Sequence, residues 1–320
     1  MSFFAILLAL VLEQARPLAA DNPIHRMVQA WTSWVARTLD AGVQHLAWVA
    51  WGTATLTPAA LALVVHALAD WGLGWVVAVL WNVALLYVTL GFRQFSHHFT
   101  EIRDALDEGD EQRARELLAH WQQVKVGDIP RSELLRHVIE YSVVAAHRHV
   151  FGVFFWYAVL SVVGLGPVGA VVYRLAEYVQ RHWAHAQSTD ADVSPMLAEV
   201  AARAWNALDW LPSRATALGF AIVGSFEDAM DGWRNHAQKF PQDNDGVILA
   251  ATAGAINVRL GGAGLHTRSA DDEHAAPSGA STPGEPAQIG HLASVVGLVW
   301  RSVIMWLVLV ALLTMAKLMG

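Results

Sequence analysis

Eight polar side chains stand at the ends of apolar stretches in this chain: Arg93, Glu140, Arg148, Asp209, Arg214, Asn244, Asp245 and Arg259. Ionised and amide groups at such borders are costly to place in a bilayer and are often functional, although they also mark where a helix meets water. Fifteen histidines add a metal hypothesis, with His97-His98, His147-Arg148-His149 and the His182/His185 pair as the tightest groups. None is accompanied by a carboxylate pattern such as H-E-x-x-H, so no metal site is expected and hydrogen bonding to headgroups or neighbouring helices is the reading for these rings. No Gly-Lys-Ser/Thr closes a phosphate loop and no G-x-S-x-G elbow is present. The chain has no Cys, which excludes disulfides, thiolate metal sites and a cysteine nucleophile.

The elements that must position these groups are helices in a membrane. Of the 320 residues 55% are hydrophobic and only 15% charged, and mean hydropathy is +0.35, whereas soluble domains carry about 25% charge. A net charge of -7 without a basic stripe argues against a nucleic-acid partner. Residues 1–12 form a short retained apolar helix with no basic segment before it. Asn22-Pro23 opens a helix with Met27, Trp31, Trp34 and Val35 at helical spacing, suited to a membrane surface. Spans are expected at 46–69, 73–92, 150–173 and 295–318, the first two as a hairpin turning at Asp70, Trp71 and Gly72. Pro58 should kink the first span, and Asn82 should join helices within the second. Gly164, Gly166, Pro167 and Gly169 should break the third, which is tolerated only where protein or a water-filled cavity surrounds the break.

Between them, residues 94–149 read as an amphipathic insertion, with Asp110 and Ser132 as helix caps. Residues 208–218, interrupted by Pro212, suit an interface. The stretch 246–262, Gly-Val-Ile-Leu-Ala-Ala-Thr-Ala-Gly-Ala-Ile-Asn-Val-Arg-Leu-Gly-Gly, follows a polar turn and is too short to span, so it reads as a small-residue helix packed inside protein. Residues 266–292, rich in Pro, Gly and Ser, read as a disordered loop. The resulting organisation is 1–93 (short amino-terminal membrane helix, interfacial helix and hairpin), 94–149 (insertion), 150–265 (broken helix, interfacial helices and small-residue motif), 266–292 (loop) and 293–320 (carboxy-terminal span). The fold class is an all-α polytopic membrane bundle. The loops 13–45 and 93–148 hold eleven Lys or Arg against none in the hairpin tip, which favours the cytoplasmic side for them; a single span at 150–173 would then put the partly basic region 174–268 outside, unless 208–223 or 246–258 re-enters or crosses or the amino-terminal helix changes the parity.

Several stretches together resemble the CobD/CbiB family of adenosylcobinamide-phosphate synthases: Asn22-Pro23-Ile24-His25-Arg26, the 105–117 helix with Gly109-Asp110 and Ala114-Arg115, Val138-Ile139-Glu140, residues 166–173, Leu211-Pro212-Ser213-Arg214, and the stretch 244–262. In the last, Asn244, Gly246, Ala250, Ala251, Ala253, Gly254, Ala255, Val258, Arg259, Leu260, Gly261 and Gly262 keep step with the family motif without a gap. The resemblance implies a multi-pass protein of the bacterial inner membrane that joins adenosylcobyric acid to an aminoalcohol phosphate in an ATP-dependent amide ligation. ATP and Mg²⁺ would then be required, with a corrinoid as ligand. It implies Arg214, Asn244, Arg259, Gly261 and Gly262 in substrate binding and Glu140 and Asp245 as the surviving catalytic carboxylates.

The chain departs from the family where Leu249 replaces a Glu, Val247-Ile248 replaces Trp-Pro, and residues 141–149 supply no carboxylate. These losses resemble the AmpE-like branch, non-enzymatic membrane proteins linked to β-lactamase induction, as do Leu7 to Glu13 and Leu208 to Arg214. Two readings therefore stand: a cobinamide-phosphate synthase, or a sensor taking a cell-wall-derived ligand. The partners expected are the lipid bilayer, one of these ligands and a second copy in a homo-oligomer.

Overall fold

A computed structural model describes residues 2–16, 22–122, 129–188, 193–262 and 280–319, and among them the chain is helical, with two isolated β-bridges and no strand. Two compact units are formed, each from segments distant in sequence. One comprises residues 1–92, 148–212 and 307–320, the other 93–147 and 213–306.

In the first unit, α1 (Ser2–Ala15), α2 (Pro23–Leu39), α3 (Gln44–Leu68), α4 (Trp75–Thr89), α8 (Gly152–Val162), α9 (Val168–Ser188) and the first part of α10 (Pro195–Val223) pack together. Asn22 caps α2, its side chain accepting the His25 N–H at 2.8 Å, and Pro23 takes the first helical position where its missing N–H is harmless. Alanines 47, 50, 54, 59 and 62 form a stripe along α3 against which α2 and α9 pack closely. Val35 and Ala36 meet the start of that stripe, Val28 meets its end, and Trp31 Nε1 donates to the Ala54 carbonyl between them. Thus α2 runs antiparallel along α3, with Ile24, Met27 and Trp34 left exposed.

Both helix-interior prolines of this unit are compensated in the same way. Proline cannot donate to the carbonyl four residues earlier, which orphans Ala54 before Pro58 and Leu208 before Pro212. An indole N–H satisfies each: Trp31 at 3.2 Å and Trp156 at 3.2 Å. The hairpin turns through a π-helical segment, Ala69–Leu73, with Trp71 fully exposed at its tip, and Asn82 joins helices as expected, donating to His66 at 3.3 Å and accepting from Tyr157 at 3.3 Å.

The second unit contains α5 (Phe92–Asp107), α6 (Glu111–Gln122), α7 (Arg131–Ala146), the last part of α10, α11 (Phe226–His236), α12 (Asp243–Ala255) and most of α13 (Ile289–Met319). Asp110 caps α6, accepting the Arg113 N–H at 2.9 Å. Ser132 is no cap, since α7 starts one residue earlier behind Pro130. Glycines let α11 and α12 cross almost in backbone contact: a Cβ on Gly254 would lie 2.0 Å from the Asp228 carbonyl oxygen, and one on Gly232 would lie 2.4 Å from that of Ala250.

Among the described residues three helical stretches are long and apolar enough to cross a membrane: Gln44–Leu73, Arg131–Val162 and Ile289–Ala316. The third expected span, 150–173, is divided. Gly164 and Gly166 take positive φ (82° and 55°) and with Pro167 end α8 before α9 begins, so the long apolar helix extends amino-terminally through α7 instead. The second expected span is shorter than drawn, 15 residues in α4. Residues 263–279 of the segment read as a disordered loop lie outside the described residues, while 281–285 pair with the segment after α12.

Candidate functional site

Helix α12 is 13 residues long, about 20 Å, and is buried on nearly every face, including Asn244 and residues 246–253. It is the small-residue helix packed inside protein that the sequence suggests. Gly246 touches the turn before it, since a Cβ there would lie 2.4 Å from the Ala237 carbonyl oxygen and 3.1 Å from Phe240 Cβ.

After α12 the chain reverses through Asn257, whose φ is +53°, a conformation that Asn tolerates better than most residues. Residues 257–262 then run beside 280–285. Arg259 N–H donates to the Glu285 carbonyl at 2.7 Å, Thr282 N–H to that of Leu260 at 2.7 Å, and Glu285 N–H to that of Asn257 at 3.2 Å. Gly284 (φ +127°) lets this second segment close, because a Cβ would lie 2.7 Å from Val258 C. The loop carries Gly261 (φ +82°) back to Phe240, whose ring lies 3.5 Å from the position of a Gly261 Cβ. The Arg-Leu-Gly-Gly sequence therefore returns toward the end of α12 at which that helix begins.

Arg214, on α10, donates to Asn244 Oδ1 in the first turn of α12 at 2.8 Å and to Ser213 Oγ at 3.1 Å. Lys239 Nζ donates to the Ser281 carbonyl at 3.0 Å, against the same paired loop. Glu140, on α7, accepts the Gly261 N–H at 2.7 Å. Of the predicted residues, then, Arg214 meets Asn244 and Glu140 meets Gly261. Asp245 is half-buried in the first turn of α12, Gly262 (φ +106°) continues the turn, and Arg259 is exposed. Arg214 and Lys239 stand near the start of α12 with the carboxylates of Asp243 and Asp245 in its first turn, so the region is of mixed charge.

The other predicted polar groups lie elsewhere. Arg148 and Asp209 belong to the first unit: the Arg148 guanidinium lies 5.8 Å from the Trp205 ring centroid, and buried Asp209 accepts from Tyr173 Oη at 2.8 Å. Arg93 opens α5, outside the described side chains. Three histidines bond to neighbouring helices, His182 Nε2 to Ser33 Oγ at 3.0 Å, His147 Nδ1 to Thr216 Oγ1 at 2.9 Å and His66 Nδ1 to Asn82 at 3.3 Å. Among the described residues no three His, Asp or Glu side chains gather as a metal would need.

Sequence reasoning missed Arg136, Lys239, Thr282 and Glu177. Arg136 and Glu140 are spaced i, i+4 with Glu133 at i−3 of Arg136, a legible pairing signal; nothing in the sequence points Lys239 or Thr282 at residues 257–262. Glu177 is 3% exposed between Arg174 at 3.1 Å and Arg181 at 3.7 Å. Burial opposes its ionisation, but Arg181 and Arg174 outweigh that and hold its carboxyl down at about 2.

Fold and site together define an all-α membrane protein with a buried small-residue helix and a glycine loop folded back along it. The profile of the CobD/Cbib protein family matches residues 3–299, and the chain belongs to that family. The cobalamin biosynthesis protein CobD of Chromobacterium violaceum is 33% identical over 205 residues, 63% of this chain and 63% of that protein. Its counterpart in Stutzerimonas stutzeri is 28% identical over 236 residues, 74% and 72% of the two chains, and that of Leptospira interrogans is 25% identical over 202 residues, 61% of each. The chain thus matches less than two thirds of the length of the first and third of these relatives. No solved structure matches it.

Proposed function

We propose that this chain is a multi-pass inner-membrane protein of cobalamin biosynthesis that joins the carboxyl group of adenosylcobyric acid to the amine of an aminoalcohol phosphate, with ATP as the activating substrate. Membership of the CobD/Cbib family and the names of its relatives support the pathway. The observation that carries the chemical reading is the return of the Arg259-Leu260-Gly261-Gly262 loop along α12, whose first turn anchors Arg214 through Asn244.

Phosphates and a carboxylate are the groups such a ligation must bind, and Arg214, Arg259 and the N–H groups opening α12 are suited to them. Arg214 is pre-oriented by Asn244 and Ser213, so little side-chain freedom is lost on binding. Asp245, one residue beyond Asn244, is the carboxylate assigned to the amine.

Among the described residues no carboxylate cluster suits a dedicated magnesium cage. Leu249, where the family has a Glu, is buried at 7% exposure and packed in the helix, and residues 141–149 offer no carboxylate. The basic groups and backbone N–H groups are therefore assigned the charge stabilisation that relatives would share with a metal. The same Leu249 is the observation favouring a second reading, an AmpE-like sensor that binds an anionic cell-wall-derived ligand without turning it over.

Isothermal titration of the purified protein in nanodiscs with adenosylcobyric acid, followed by an assay for ATP-dependent amide product, tests both. Product formation supports the synthase; binding of a cell-wall fragment with no corrinoid binding and no ADP release supports the sensor.

A further inference from the structure

The carboxylate of Glu140 is held mainly through Oε1. Arg136 Nη1 donates to Oε1 at 3.0 Å and lies 3.2 Å from Oε2, the Gly261 N–H donates to Oε1 at 2.7 Å, and His137 Nδ1 lies 3.5 Å from Oε2. Arg136, 5% exposed, is itself held from its other side by Glu133 Oε2, at 2.6 Å from Nη2 and 3.0 Å from Nε. A general base needs a lone pair facing the proton it removes; here Oε1 accepts from both Arg136 and Gly261, and Oε2 faces Arg136 Nη1 at 3.2 Å and His137 Nδ1 at 3.5 Å. A carboxylate fixed between a buried guanidinium and a backbone N–H is instead built to hold that backbone in place.

The backbone it holds is the turn that matters. Gly261 lies at φ +82°, where only glycine is comfortable. The loop's opposite edge is fastened by Thr282, whose N–H donates to the Leu260 carbonyl at 2.7 Å and whose Oγ1 accepts the Leu260 N–H at 2.9 Å. Residues 259–262 are thus fastened on one edge by Thr282 and on the other by Glu140, with the exposed Arg259 side chain presented between.

We infer that Glu140, anchored by Arg136, is a positioning residue: it latches the Arg259-Leu260-Gly261-Gly262 loop to α7 and so sets where Arg259 and the loop N–H groups meet an anionic substrate. The inference replaces the catalytic role that the family resemblance implies for Glu140, and its activity readout rests on the synthase reading above while its structural readout does not.

Glutamine separates the two roles. In Glu140→Gln the amide oxygen still accepts the Gly261 N–H, whereas in Glu140→Ala nothing does. Hydrogen exchange of residues 257–262 is measured on the full chain in nanodiscs, with Glu133→Gln as a control that leaves the Arg136–Glu140–Gly261 chain in place. Loss of a charge-assisted hydrogen bond should speed exchange at Gly261 by roughly ten- to a hundredfold in Glu140→Ala, and Glu140→Gln should restore protection to within a few-fold of the parent. In turnover, Glu140→Ala should act mainly by raising KM, with Glu140→Gln recovering most of the loss. Unchanged protection in Glu140→Ala overturns the latch, whatever the activity. A protected but inactive Glu140→Gln, down about a hundredfold or more in kcat as a lost base would be, overturns it in favour of proton transfer. If the parent protein turns nothing over, the synthase reading fails while the exchange data still decide the latch.

Discussion

Arg214 and Asn244, thirty residues apart, meet at 2.8 Å, with the amide oxygen accepting and the guanidinium aimed from the start of α12. Asn244 is 7% exposed, so its role is exerted through Arg214 rather than by direct reach into solvent. Asn244→Ala should weaken binding of the phosphate-bearing substrate by about tenfold, the value of one lost orienting hydrogen bond of roughly 1.4 kcal/mol, with little change in Tm. Calorimetric titration checks this; an unaltered affinity would remove Arg214 from the site.

The indole caps on the proline-freed carbonyls give a test of the membrane fold. Trp156→Phe should destabilise the protein by about 1 to 2 kcal/mol, because the Leu208 carbonyl is then left without its donor. Adding Pro212→Ala restores a helical N–H to the same carbonyl and should recover most of that loss. A double-mutant cycle followed by thermal unfolding in nanodiscs distinguishes this coupling from simple loss of packing, which would be additive.

Acid sensitivity should trace to Glu177. Its carboxyl, ordinarily near 4.5, is held at about 2 in the fold, so it binds a proton less readily folded than unfolded. The stability from its pairing with Arg181 and Arg174 is fully present above pH 4.5 and is lost as pH falls through about 2. The Tm difference between the parent and Glu177→Gln should therefore be constant from pH 7 to about 5 and close progressively below that.

Close helix crossing predicts a sharp contrast between glycines. Gly254→Ala puts a methyl 2.0 Å from the Asp228 carbonyl oxygen and should cost about 2 kcal/mol or more. Gly297→Ala, with nothing within 4 Å of the new Cβ, should leave Tm unchanged or slightly raised. Parallel melting curves compare them.

These elements also mark how far the sequence could be read. Asn22-Pro23 and Asp110 announce helix starts through local hydrogen bonds, and the small residues of α12 announce burial, because both signals are confined to one stretch of chain. The division at Gly164 to Pro167 was legible too, but not that α7 would supply the long apolar helix upstream, since a polar stripe bearing Arg136 and Glu140 lowers its hydropathy. Residues 280–285 read as loop because Pro, Gly and Ser carry no periodicity; their pairing with 257–262 depends on backbone groups that every residue possesses. Glu140 was legible as a buried-end carboxylate, but its partner Gly261, 121 positions away, contributes only an N–H and leaves no mark in the sequence.

The central claim is best tested by the reaction itself. Purified protein in nanodiscs is given adenosylcobyric acid, an aminoalcohol phosphate and ATP with its usual magnesium salt, and the corrinoid product and ADP are quantified together. The account predicts amide product formed with ADP in equal amounts, both reduced in Arg214→Gln and Arg259→Gln. Neither product nor ADP from a folded protein that binds the corrinoid would contradict it.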